Sequence, residues 1–147
     1  MKSRMIVAID FDGTLVDHRY PDIGPIVPGA VEWCKRLLDM GVRLILWTMR
    51  DDGGDDGPVL TQAVNLLKIH GVEFWGINRN PEQGWSKSPK AYANYSVDDN
   101  HALCPLKENP RLGGRPYVDW SVIGPWLVEK AKAYEVPDAP EVEASSV

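Results

Sequence analysis

The sequence predicts an α/β fold with a mostly parallel central sheet, and three observations carry that prediction. Short apolar runs alternate along the chain with stretches whose apolar residues recur at helical spacing. The runs are continuous rather than alternating with polar residues, the pattern of strands buried on both faces, which belongs to parallel sheets covered on each side. Three of the runs end on polar residues: Asp10 with Asp12, then Thr48, then Asp98 with Asp99. In a parallel sheet linked by right-handed crossovers, the carboxyl ends of the strands share one edge, and ligands bind at that edge.

The first strand is read over 5–9, Met-Ile-Val-Ala-Ile, and it runs straight into Asp10. Segment 16–28 holds Pro21, Gly24, Pro25 and Pro28 and reads as a turn-rich excursion. Over 29–40 the residues Ala30, Val31, Cys34, Leu37 and Leu38 fall on one helical face, and Gly41 supplies the stop. Residues 42–47 form a second strand, apolar apart from Arg43. The acidic, glycine-rich run 51–57 reads as a solvated loop leading through Pro58 into a helix that presents Leu60, Ala63, Val64 and Leu67 on one side, and Gly71 ends it. A third strand is expected over 73–77, then a polar loop through Trp85, a short helix from about Ser88, and a fourth strand over 95–97. The last helix is expected around 121–134, and Trp33, Trp75 and Trp126 are assigned to the core. Residues 1–136 are expected to form one domain and 137–147 a disordered tail.

Composition narrows the function classes. With 147 residues, 44% of them hydrophobic, the chain can bury one sizeable core. The net charge of −5 argues against broad electrostatic binding to nucleic acid or to an anionic membrane. Two cysteines, Cys34 and Cys104, make neither a disulfide framework nor a zinc site, and both are expected as thiols. No apolar run reaches the roughly 18 residues of a membrane span, and the start is too quickly acidic for a signal peptide, so a cytoplasmic protein with no membrane partner is expected.

Carboxylates gathered in one crevice repel one another and shift toward protonation unless a cation sits among them. A hard divalent ion with oxygen ligands, Mg²⁺ above all, meets that need and leaves room for a substrate phosphate. Asp10 is then placed to attack phosphorus, and Asp12 to protonate the leaving oxygen and later deprotonate water. Gly13 would let the backbone pass close beneath a phosphate, and Thr48 would donate to a phosphoryl oxygen. A lysine before the fourth strand would neutralise the remaining charge. A calcium loop is disfavoured because its sixth position requires glycine, where this chain has Leu15.

The elements Asp10-Phe11-Asp12-Gly13-Thr14, Leu44 to Thr48, Lys90 and Val97-Asp98-Asp99 resemble, in order, the four motifs of the haloacid dehalogenase-like hydrolase superfamily. The resemblance covers most of the chain and extends to small capless bacterial and phage members. It implies a three-layer Rossmann-like fold without a cap domain, and a phosphatase in which Asp10 is nucleophile and Asp12 general acid and base. It also implies Mg²⁺ held by Asp10, the Asp12 carbonyl and an acid of the fourth motif. Lys87 competes with Lys90 for the third motif; Asp98 is placed on the metal, with Asp99 as a second ligand or a water-mediated partner.

The insertions at 16–28 and 78–89 are too short for a folded cap. Segment 16–28 is therefore expected to act as a stiff, hairpin-like flap that sets His18, Arg19 and Tyr20 against the substrate. Phe11, Gly13 and Arg50 complete the expected substrate contacts, with pairing to the 51–57 loop an alternative for Arg50. The expected partner is a phosphorylated small molecule rather than nucleic acid, and a second copy in a homo-oligomer is a source for a missing lid. A phospho-receiver switch and a catalytically weak phosphate-binding protein are the alternative functions. The order of Thr48 and the acid pairs disfavours the receiver.

Overall fold

A computed structural model of the chain describes residues 1–138. Its first strand, β1 (Lys2–Ser3), pairs antiparallel with Glu135 and Val136, joining the two ends of the described chain. The apolar run that follows forms β2 (Ile6–Ile9), buried along its whole length as continuous apolar sequence requires. Three further parallel strands complete its sheet, β3 (Arg43–Leu46), β4 (Gly76–Ile77) and β5 (Tyr95–Val97), in the order β4-β3-β2-β5, so that β2 lies between β3 and β5. In register, Ile9 stands beside Leu46 on one side and Val97 on the other, so the three strands end level.

Among the described residues, three helices carry the rest of the core: α1 (Ala30–Asp39), α2 (Val59–Ile69) and α3 (Trp120–Lys132). The expected helical faces are the buried ones, with Ala30, Cys34 and Leu37 on α1 and Ala63 and Leu67 on α2. These side chains, with Leu127, Val128 and Ala131 of α3, pack on the face formed by Val7, Ile9, Leu44 and Leu46. Helices α1 and α3 meet closely at Gly124, where a Cβ would fall 2.3 Å from the Trp33 ring. Burial pushes the Cys34 thiol up to about 12.

The opposite face of the sheet, Ile6, Ala8 and Ile45, is covered by Trp47, Trp75, Ala91 and Ala93 and by no helix among the described residues. The short helix expected from Ser88 is absent. Ser86 and Ser88 each accept a hydrogen bond from the backbone N–H two residues on, a local alternative to the helical ladder, and Pro89, next after Ser88, lacks a backbone donor. The third strand is shorter than expected, although the Trp75 N–H already donates to the Leu44 carbonyl. Trp126 is 42% exposed rather than in the core, whereas Trp120 is buried.

Segment 16–28 turns back on itself as an antiparallel excursion, with Val16 bridged to Ile26 and the Asp17 N–H donating to the Pro25 carbonyl. Between β5 and α3 lies a hairpin without a sequence expectation, β6 (Leu106–Lys107) paired with β7 (Tyr117–Val118). It is joined to the loop after β2 by the Val118 N–H, which donates to the Gly13 carbonyl at 3.0 Å. Glu135 and Val136, the partners of β1, form β8 (Glu135–Val136). Among the described residues, no helix is long and apolar enough to cross a membrane. The expected tail lies outside the described residues apart from Pro137 and Asp138.

Candidate active site

Because β2 and β5 are adjacent and end level, Asp10 is brought against Asp98 and Asp99. One carboxylate oxygen from each of the three lies within 4.8 Å of the others, a set able to hold a metal ion. The Asp10 N–H donates to the Val97 carbonyl at 2.9 Å, fixing the junction between the strands. Thr14 links the two sides: its hydroxyl donates to Asp10 Oδ2 at 3.0 Å, and its oxygen accepts from the Asp99 N–H at 3.2 Å. The Trp120 indole in turn donates to the Thr14 carbonyl at 2.8 Å.

Burial, reinforced by the charge of Asp98, pushes the Asp10 carboxyl up to about 8; the Thr14 hydrogen bond opposes the shift without cancelling it. Asp99 is raised as well, through burial and its contact with Asp98, while Arg115 acts in the opposite sense. This donor set is all oxygen, strongly anionic and short of protein cations, and it fits a hard divalent ion such as Mg²⁺.

Gly13 has a steric role beside the acidic cluster. Its φ is +85°, and a Cβ there would lie 2.3 Å from Asp99 Oδ2, so its missing side chain makes room for the acidic group.

Asp12 stands apart from that cluster. Arg50 grips it with two hydrogen bonds, Nε to Oδ2 and Nη2 to Oδ1, both 2.8 Å. The guanidinium also donates to the carbonyls of Pro21, Asp22 and Val59, and it lies over the rings of Phe11 and Tyr20. Arg50 is 2% exposed, so its donors serve the protein, not the substrate contact expected of it, and its expected partner among residues 51–57 is replaced by Asp12. Phe11 is likewise fully buried beneath Arg50, which removes it from reach of a ligand.

The cleft over the acidic cluster has a volume of about 450 Å³ and is bordered by Thr48, His18 and Tyr20 as expected. Asn78, held at a positive φ of 54°, accepts the Thr48 N–H through Oδ1 at 2.8 Å; the Thr48 hydroxyl accepts from the Arg50 N–H at 3.1 Å. Tyr20 donates to Asp56 at 3.1 Å. Arg19 turns away from the cleft to pair with Asp17.

Neither candidate lysine borders this cleft. Lys90 lines a groove with Gln83, Trp85 and Tyr92, and Lys87 lines one with Asn78, Arg79 and Asn80. The separation follows from the missing helix, since 86–94 is an irregular run that covers the sheet face instead of rising to its edge. The cleft also contains Met49, Asn100 and Arg115, which sequence reasoning missed; Gly113 and Gly114 beside Arg115 were the one turn signal pointing to a loop there.

No family model and no curated protein matches the chain. It is similar to a solved structure described as the conserved protein coded by a locus from Bacteroides thetaiotaomicron. The two sequences are 36% identical, the match covers 90% of this chain and 99% of that one, and the TM-score is 0.65.

Proposed function

We propose that this chain, which belongs to the same family as the conserved Bacteroides thetaiotaomicron protein, is a Mg²⁺-dependent phosphomonoester hydrolase that works through an aspartyl phosphate on Asp10. The observation that carries the reading is the convergence of Asp10, Asp98 and Asp99 at level strand ends, with Asp10 partly buried among like charges. The fold reading that goes with it is the haloacid dehalogenase-like one without a cap domain. On this reading the run carrying Ala91 and Ala93 stands in for the third layer, and 16–28 brings His18 and Tyr20 to the border of the site.

Asp10, Asp98 and Asp99 would hold the ion, which when bound supplies charge neutralisation for the carboxylates and the phosphoryl oxygens. Asp10 attacks phosphorus through one carboxylate oxygen; the bond to the leaving oxygen breaks, and Asp12 gives that oxygen its proton. Asp12 then takes a proton from water, which attacks the phosphorus and releases phosphate with Asp10 regenerated. The Thr48 hydroxyl, which uses its oxygen to accept from Arg50, keeps its hydrogen for a phosphoryl oxygen. A phosphorylated small molecule of the cytoplasm is the substrate class that suits an acidic chain with a short flap, and a second copy could complete the lid.

One observation favours a second reading, a catalytically weak phosphate-binding protein. Both oxygens of Asp12 are occupied by Arg50, and Asp12 must leave that grip to exchange a proton with substrate. Hydrolysis of 4-nitrophenyl phosphate with and without Mg²⁺ separates the two. Metal-dependent multiple turnover supports the hydrolase, and binding without turnover supports the alternative.

A further inference from the structure

The cations near the cleft differ in what is left for a ligand. Arg50 has its guanidinium committed to Asp12 and three backbone carbonyls, and Lys87 and Lys90 line other grooves. Arg115 borders the cleft together with Asp10 and Asp99, is exposed, and makes no side-chain hydrogen bond or ion pair among the described residues.

Its position is built. The Asn109 amide donates both to the Arg115 carbonyl at 3.2 Å and to Asp17 Oδ1 at 2.7 Å. Arg111 Nε donates to the other oxygen of Asp17 at 3.1 Å. Asp17 is itself buried and follows closely on the aspartate loop, so the hairpin tip is fastened to the same segment that carries Asp10. Gly114 fits this clasp, since a Cβ there would fall 2.5 Å from the Asn109 side chain. With β7 also bonded to Gly13, the backbone of Arg115 is held at two points beside the acidic cluster, and its guanidinium remains uncommitted.

We infer that Arg115 is the cation that binds the substrate's phosphoryl group, in place of a lysine from 86–94, and that the β6–β7 hairpin is a wall of the site. The inference rests on reading the cleft as a phosphate site. A guanidinium donates two parallel hydrogen bonds to phosphoryl oxygens, and fastening its backbone in advance lowers the ordering cost of binding.

The test is inorganic phosphate binding by calorimetry at saturating Mg²⁺, with steady-state hydrolysis of 4-nitrophenyl phosphate measured alongside. Wild type is compared with Arg115→Ala, Arg115→Lys and the double variant Lys87→Ala/Lys90→Ala. Arg115→Ala is expected to weaken phosphate binding and raise KM by about ten- to a hundredfold, with Arg115→Lys intermediate and the double variant within about twofold of wild type. Phosphate affinity within twofold of wild type in Arg115→Ala, or a loss that follows the lysines instead, overturns the inference while leaving the hydrolase reading intact. Arg115-dependent phosphate binding without turnover supports the inference and removes the hydrolase reading. A wild-type protein that binds no phosphate overturns the inference at its root.

Discussion

Asp10 and Asp12 lie two residues apart at the end of the same strand, yet their environments are opposite. Asp10 sits among like charges, with a threonine hydroxyl as its side-chain partner and its carboxyl pushed up to about 8. Asp12 has a buried arginine matched to both of its oxygens. The chain therefore leaves one carboxylate short of positive charge and supplies the other in full. The shortage is the electrostatic observation behind the proposed metal ion, because a carboxylate held among like charges stays ionised beside a cation and otherwise takes up a proton. The surplus marks a joint, since Arg50 ties the aspartate loop, the 16–28 flap and the start of α2 to one another.

The sharpest way to break this contrast is Asp10→Asn. Turnover is expected to fall by about 10⁴-fold or more as the nucleophile is lost. The fold should persist, and the metal-free variant should be more thermally stable than wild type near neutral pH because the amide is neutral without taking up a proton in a site that disfavours the carboxylate. Near-normal turnover in steady-state assays would show that Asp10 is not the nucleophile.

Arg50→Ala attacks the other side of the comparison. It leaves a half-buried carboxylate unpaired and opens a joint between three segments, so a loss of about 3–5 kcal/mol is expected in chemical denaturation. Restricted effects of less than about 1 kcal/mol would mean that the flap and α2 are held by other contacts.

Asp10 also sets a pH dependence. Asp10 has a folded value above its unfolded one, so the metal-free protein binds more protons folded than unfolded between about pH 4 and 8. Its stability contribution is fully present below that window and is lost as pH rises through about 8. Divalent metal competes with the same proton, and apparent Mg²⁺ affinity should rise up to about tenfold per pH unit until Asp10 is ionised. Titration calorimetry from pH 6 to 9 checks the sign, and a flat affinity would place the metal elsewhere.

The smallest effect is expected at the flap. Replacing His18 and Tyr20 with alanine should raise KM severalfold with less than about 1 kcal/mol lost in stability, because both border the cleft and neither is fully buried. Unchanged kinetics across several phosphomonoesters would make the flap a connector only.

Much of this arrangement was legible in the chain. The apolar runs at 6–9 and 43–46 declare buried parallel strands, and their polar ends predict the convergence of Asp10 with Asp98 and Asp99. The helical faces of α1 and α2 follow from spacing alone. What stayed hidden has physical causes. Strands of two residues, such as β1, β6 and β7, carry no period, and β1 finds its partner at the opposite end of the described chain. The Ser88 region holds residues with side-chain turn chemistry that competes with a helix, and that difference removes Lys90 from the site. Beyond the turn signal of Gly113 and Gly114, nothing in the sequence points to Arg115, because the carboxylate that fastens its loop, Asp17, is distant in sequence; Arg50 reads as a substrate contact until its five protein acceptor atoms are seen.

The central claim is that Asp10 carries the phosphoryl group, and trapping that intermediate tests it most directly. The protein is mixed with Mg²⁺ and acetyl phosphate or 4-nitrophenyl phosphate, quenched in acid, reduced with borohydride and digested for mass spectrometry. Reduction converts an aspartyl phosphate to homoserine, and the account predicts homoserine at position 10, absent when Mg²⁺ is omitted and absent in Asp10→Asn. Homoserine at Asp12, Asp98 or Asp99, or sustained turnover with no modified aspartate at all, would contradict it.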